Sequence, residues 1–146
     1  MITFAHGPCR EATGIPGSAF SKGDLLMLNS ASSLSRCPDL IAAAAGIIGV
    51  AMADSLESLD NQVPYVVAQR DSVFWASTTT SSGFTPGQPV DLIFSAASRF
   101  YASDSANTAV ARVDMGGGSN QVLDNTAEPY RVRIVFDPGA TLFTAT

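Results

Sequence analysis

The stretch LIAAAAGIIGVAMA, Leu40 to Ala53, holds fourteen residues without a charge or a hydrogen-bonding side chain, and how it is read decides the fold. As a helix it would rise about 1.5 Å per residue, roughly 21 Å, too short for the ~30 Å hydrocarbon core of a bilayer. The four consecutive alanines favour a buried helix. Gly46 and Gly49 oppose it, each costing about 1 kcal/mol in a helix interior, and Ile47, Ile48 and Val50 bring β-branched side chains. The reading that satisfies both halves ends a strand or short turn at Ala42–Ala45 and breaks at Gly46. It then makes Ile47–Ala53 a strand covered on both faces, where Gly49, Ala51 and Ala53 let another backbone approach.

Outward from this stretch the chain is punctuated as a β-protein is. Lys22-Gly23-Asp24 turns into the apolar run Leu25–Leu28, and Ser30–Ser35 reads as a polar loop. Residues 53–62, ADSLESLDNQ, read as a turn or a short helical piece. Tyr65–Gln69 and Val73–Ser77 read as a hairpin joined by Arg70-Asp71-Ser72, with Pro64 at a strand's first position. A long loop, STTTSSGFTPGQP, carries Phe84 as its one large apolar residue. Strands follow at Pro89–Phe94, Arg99–Tyr101 and Val110–Met115, the last ended by Gly116-Gly117-Gly118. The clearest alternation is Tyr130–Phe136: Tyr130, Val132, Ile134 and Phe136 share one face, Arg131 and Arg133 the other. Short strands between Gly, Pro and Ser loops predict an all-β fold with minor helix, a compact sandwich or barrel.

Residues 1–19 carry Gly7, Pro8, Gly14, Pro16 and Gly17, which break any period, yet Ile2, Phe4 and Ile15 are apolar. They predict an extended N-terminal arm that lies along a partner, followed by a single β-domain over residues 20–146.

Composition narrows the function classes. The chain has 146 residues, 46% hydrophobic and 14% charged, with thirteen acids against eight bases and a net charge of −5. That charge content is low for a soluble domain and suits a surface that packs against neighbours. No basic stripe offers a path for nucleic acid, and no polybasic run offers one for anionic lipid. The first residues lack the charged and apolar regions of an export signal, so Cys9 and Cys37 read as reduced thiols.

Catalytic motifs are equally sparse. His6 is the one histidine and stands as H-x-x-C with Cys9; with Cys37 the count of zinc ligands reaches three, one short of a structural site. A Ser-His-Asp or Cys-His arrangement would rest on that same histidine. The triple glycine lacks the Lys-Ser/Thr of a phosphate loop. The aspartates fall mostly where strands begin or end, where Asp is turn chemistry. The residues therefore predict no enzyme and no cofactor. Arg131 and Arg133 suit carboxylates of a partner, and they stand with Phe84 as candidate interface residues.

The order FSKGDLLML, GIIGVAMADS, VPYVVAQRDSVFWAS, GQPVDLIF, VARVD and YRVRIVF, over residues 20–136, resembles the head decoration, or capsid cement, proteins of tailed bacteriophages. The resemblance implies a β-tulip-like sandwich made in the host cytoplasm. It also implies a place on the outer surface of the virion and a homotrimer at three-fold or quasi-three-fold sites. The partner is the major capsid protein, with no direct contact to nucleic acid and none to membrane. Within it the arm residues Ile2, Phe4, His6 and Ile15 are expected to bind the capsid by strand addition, repeated threefold for avidity. A rival class is a carbohydrate- or receptor-binding module of a phage fibre or spike, using the Ser/Thr-rich loop with Trp75, Tyr65 and Tyr101. Trp75, within a strand, is expected in the core. A small all-β hydrolase with an aspartate dyad is the third class.

Overall fold

The computed structural model describes residues 1–39, 46–56, 62–80, 82–115 and 122–141. The strands run in chain order β1 (Ile2–His6), β2 (Glu11–Gly14), β3 (Ala19–Phe20), β4 (Leu25–Leu28), β5 (Leu34–Arg36), β6 (Gly49–Ala51) and β7 (Ser55–Leu56). They continue as β8 (Val63–Val67), β9 (Val73–Thr78), β10 (Pro89–Ser95), β11 (Arg99–Ser103), β12 (Ala111–Val113), β13 (Leu123–Asp124) and β14 (Tyr130–Phe136). One 3₁₀ turn spans Pro138–Ala140. The described residues are thus all-β, in two sheets that pack together with a small β3–β7 ribbon.

Each sheet curls until its ends meet. In the first, β9 pairs with β11, β11 with β10, β10 with β12, β12 with β14, and β14 returns to β9. The β9–β11 seam is brief, with Tyr101 opposite Ser77. β1 lies beside the earlier part of β9, and β13 beside the start of β14. The second sheet has the order β2-β8-β6-β4-β5. Beyond β2 the chain crosses to the other edge: Leu34 N–H donates to Ile15 O and Gly17 N–H to Leu34 O, both at 2.8 Å, around a parallel bridge at Pro16. Proline lacks a donor, but the bonds here use its two neighbours. Closure of this kind removes the unpaired edges that an open sheet presents.

Alternation sorts the side chains between two cores. Leu26, Ala51, Val63, Tyr65 and Val67 turn into the second ring, with Leu34, Ile48 and Phe20 of the ribbon. Leu25, Val50 and Val66 turn the other way and join Ile2, Phe74, Val90, Leu92, Phe100, Val132, Ile134 and Phe136 of the first sheet. β6 is therefore covered on both faces, as its apolar sequence predicts, and all three of its residues are buried. Gly49 shows why: a Cβ there would lie 2.2 Å from Val66 O and 2.7 Å from the Tyr65 ring. The strand is shorter than Ile47–Ala53. Ile47 makes an isolated bridge to Thr141, and Met52 is already exposed. The expectations for Ala42–Ala45, for residues 57–61 and for the triple glycine at 116–118 lie outside the described residues.

Three expectations change. Residues 1–19 are not an arm separate from a domain at 20–146. β1 pairs with β9 in register Ile2–Ala76, Thr3–Trp75, Phe4–Phe74, β2 pairs with β8, and Ile2 is fully buried. The glycines and prolines mark the bends between these pieces, while I-T-F-A-H itself alternates as a strand does. Residues 65–77 form no hairpin. β8 belongs to the second sheet and β9 to the first, and the link carries the chain between them, with Ala68 N–H bonded to Ile48 O at 2.9 Å. Both strands are apolar enough to be flanked by other partners, and β8 already has β2 and β6 at its two edges. The polar loop after β4 is also shorter than Ser30–Ser35: Leu34 and Ser35 lie in β5, paired with Leu28 and Met27.

Replacing Gly49 by Ala forces a methyl against a carbonyl, so it should destabilise the protein by about 2–3 kcal/mol in equilibrium denaturation. Deleting residues 2–17 should remove the cooperative thermal transition altogether, read by circular dichroism, because both sheets lose a strand.

Candidate functional site

Two features of the first sheet stand out once the strands are in place. The outward face of β9 and β14 sets Trp75 opposite Thr3 on one side and Arg133 on the other, with Arg131 opposite Ser77. The guanidinium carbons of Arg131 and Arg133 lie 4.7 and 5.7 Å from the Trp75 ring centre, within cation–π range. Arg131 also donates to Asp124 Oδ2 at 2.9 Å. That bond, with those from the Thr126 hydroxyl and N–H, holds the Asp124 carboxyl down at about 2. Arg133 has no ion pair among the described residues, and its buried Nε has no hydrogen-bond partner. Trp75 is thus a half-buried surface ring clasped by cations, not the core residue its strand position predicts. Its neighbours Phe74 and Ala76 hold the inward positions.

The second feature is a cleft of about 630 Å³ where β9 leaves β1 for β11 and meets the first residue of β14. Tyr101 and Tyr130 are half-buried in its wall, and Thr79 and Glu128 are exposed at it. The Glu128–Pro129 peptide is cis. At its base Arg99 Nε donates to Asp24 Oδ1 at 3.2 Å, and Nη2 donates to Oδ2. Asp24 is completely buried and also accepts the Ser21 N–H at 2.9 Å. This pair ties β4 of one sheet to the β10–β11 hairpin of the other. The Met1 amine donates to Ser77 Oγ at 3.2 Å, to Ser98 O at 3.1 Å and to Phe100 O at 2.5 Å. Burial lowers its pKa to about 6, with Asp24 opposing and Arg99 adding to the shift.

A further carboxylate is structural. Asp91 is fully buried beneath the loop after β11. It accepts from Ser105 Oγ, Asn107 N–H, Thr108 N–H, Thr108 Oγ1 and Ala109 N–H at 2.8–2.9 Å. Ala109 takes a φ of +50° to reach it. Burial by itself would raise this carboxyl, but the bonds from Ala109, Thr108 and Ser105 outweigh it and bring the pKa to about 2.

The remaining expected residues do not gather. Phe4 packs edge-on to Phe74 at 5.8 Å, His6 is exposed at the end of β1, and Ile15 is 45% exposed on the far sheet. Phe84 is a core residue, not an interface one: it is buried in the first cluster and anchors its long loop. Cys9 is exposed and Cys37 buried, both as free thiols. Burial pushes the Cys37 thiol up to about 12, with Arg36 opposing and Asp24 reinforcing. Among the described residues no three His, Cys, Asp or Glu side chains group as metal ligands, and no helix is long and apolar enough to cross a membrane. Of the rival's three aromatic rings, Tyr65 is buried in the second core and Trp75 is covered by arginines, which leaves Tyr101 at the cleft. Glu128 and Tyr130 were not legible as cleft residues.

The fold and site define an all-β protein of two curled sheets with a cation-clasped tryptophan face and a hydroxyl-rich cleft. No protein-family model matches the sequence, and no curated protein matches it.

Asp91→Ala should cost about 2–4 kcal/mol, since several donors lose a charged acceptor. A carboxylate held near 2 in the folded chain and near its ordinary 3.8 when unfolded stabilises the fold above about pH 4. It loses that contribution as pH falls through 2. The stability gap between the parent and Asp91→Asn, from urea titrations, should therefore narrow between pH 4 and pH 2.

Proposed function

We propose that the chain is a structural virion protein, a decoration or cement protein on the outer surface of an expanded tailed-phage capsid. In this reading it sits as a homotrimer at three-fold or quasi-three-fold sites and stabilises the shell against the pressure of packaged DNA. The segments that carry the resemblance to that family fall on β4, β6, β8, β9, β10, β12 and β14, so the shared pattern coincides with the framework strands. The low charge content fits a surface that works in contact with others.

The observation that carries the reading is Arg133. A guanidinium beside a tryptophan, with a buried Nε lacking a partner, is an unmet donor of the kind that folded proteins avoid leaving unmet. Arg and Trp are also the residues most enriched among the anchors of protein interfaces. The face of Trp75, Arg131 and Arg133 is the shell contact in this reading, and a carboxylate or carbonyl of the major capsid protein pairs with the outer nitrogens of the half-buried Arg133 guanidinium. The N-terminal residues have no free strand to lend, because they are paired inside the two sheets. Clamping therefore comes from a rigid face, reinforced threefold by the trimer.

Co-sedimentation with expanded, DNA-free shells of the phage that encodes the chain tests this. Saturable binding should appear at micromolar concentration or below. Arg133→Ala should weaken it tenfold or more while shifting the thermal midpoint by no more than a few degrees, since the lost group has no ion pair among the described residues and gives up its contact with Trp75. Absence of binding to such shells would remove the reading.

A further inference from the structure

We propose that the cleft bounded by Tyr101, Tyr130, Thr79, Ser98 and Glu128 is a binding site for a neutral saccharide. The site rests on geometry that is independent of the shell contact. Its volume of about 630 Å³ lies within the range of small-ligand pockets, and barrel mouths are among the places where such pockets form. Here the mouth exists because β9 changes neighbours. Up to Ala76 its edge is taken by β1, at Ser77 it meets β11, and on the other side Thr78 faces Tyr130 at the start of β14. The two tyrosines therefore flank the end of β9 from opposite sides.

Charge selects the ligand class. Arg99 is the cation at the cleft base, and the buried Asp24 carboxylate takes both its Nε and its Nη2, so its charge is balanced within the protein. The Met1 amine is already engaged by Ser77, Ser98 and Phe100. Glu128 adds an exposed negative charge to the wall. A phosphate or carboxylate ligand would meet no free cation and one repelling acid. A hydrocarbon would leave the Thr79 and Glu128 polar groups facing it without partners. A pyranose matches both: its C–H face packs on a tyrosine ring, which is apolar in body and polar at its tip. Its hydroxyls exchange hydrogen bonds with Thr79 and donate to Glu128, whose carboxylate is acceptor only. Ser77 is less available, because its hydroxyl already donates to Met1 O at 3.1 Å.

The test is a titration of the folded, isotope-labelled chain with glucose, galactose, mannose, N-acetylglucosamine, maltose, cellobiose and lactose. It is followed by ¹H–¹⁵N chemical shifts and calorimetry. At least one should bind with a dissociation constant at or below about 1 mM. Shifts should cluster at residues 77–79, 98–101 and 128–130. Tyr101→Ala should weaken binding at least tenfold with the thermal midpoint within a few degrees of the parent. Should that variant fold poorly, Thr79→Arg, at an exposed position, fills the cleft from outside and should abolish binding with the fold intact. No response from any sugar at 20 mM, shifts centred elsewhere, or binding that survives Thr79→Arg would each overturn the proposal. None of these results bears on shell co-sedimentation, so the two readings fail separately.

Discussion

The main-chain pairing of residues 1–17 is the constraint on which the rest of the architecture depends. In one pass this segment extends the first sheet beside β9, lines β8 in the second, and then bonds to Leu34 at that sheet's opposite edge. Without the last step the second sheet would be an open ribbon with exposed edges at β2 and β5. Gly14 makes the crossing feasible, because a Cβ there would come within 2.8 Å of Leu34 Cγ. The closing contacts join residues far apart in sequence, such as Ile2 with Ala76. Their loop-closure entropy must be overcome before the core rewards them.

Buried carboxylates complete what the strands begin. Asp24 and Asp91 are both fully buried, yet they fasten different things. Asp24 binds the Arg99 side chain and so links the two sheets. Asp91 binds a fan of N–H and hydroxyl donors and shapes the loop that follows β11. A buried charge is tolerable only when paired or heavily hydrogen-bonded, and these two satisfy that rule in its two forms. Both acids are structural ties. That leaves the outward Trp75–Arg133 face and the cleft beside Tyr101 as the places where the molecule presents unmatched chemistry. One is cationic and aromatic, the other hydroxylated, with the Arg99 charge at its base paired to Asp24. They suit different partners for that reason.

Much of the local structure was legible in the residues. The alternation in Tyr130–Phe136 places Val132, Ile134 and Phe136 inward and both arginines outward, as found. Lys22-Gly23-Asp24 turns into β4, with Gly23 at a φ of +87°. The apolar Gly49–Ala51 is covered on both faces. The pairing of strands was less legible: β8 and β9 look like a hairpin because they are adjacent and apolar, and only the neighbours that each acquires separate them. The same blindness misplaced Phe84 and Trp75. A large apolar residue in a polar loop looks exposed until the loop folds back on the core, and an aromatic in a strand looks buried until its partner strand supplies two arginines.

By itself the sequence determined the class of fold, the turns and the inward face of most strands, because these follow from spacing over a few residues. The tertiary structure alone decided that the first seventeen residues close the sheets rather than reach outward. It alone brought Tyr101, Thr79 and Tyr130 around one cleft, and it alone left Arg133 beside Trp75 without a hydrogen-bond partner at Nε. Each of these depends on which distant strands become neighbours. That choice is made by the summed burial and hydrogen bonding of the whole chain, which no local window contains.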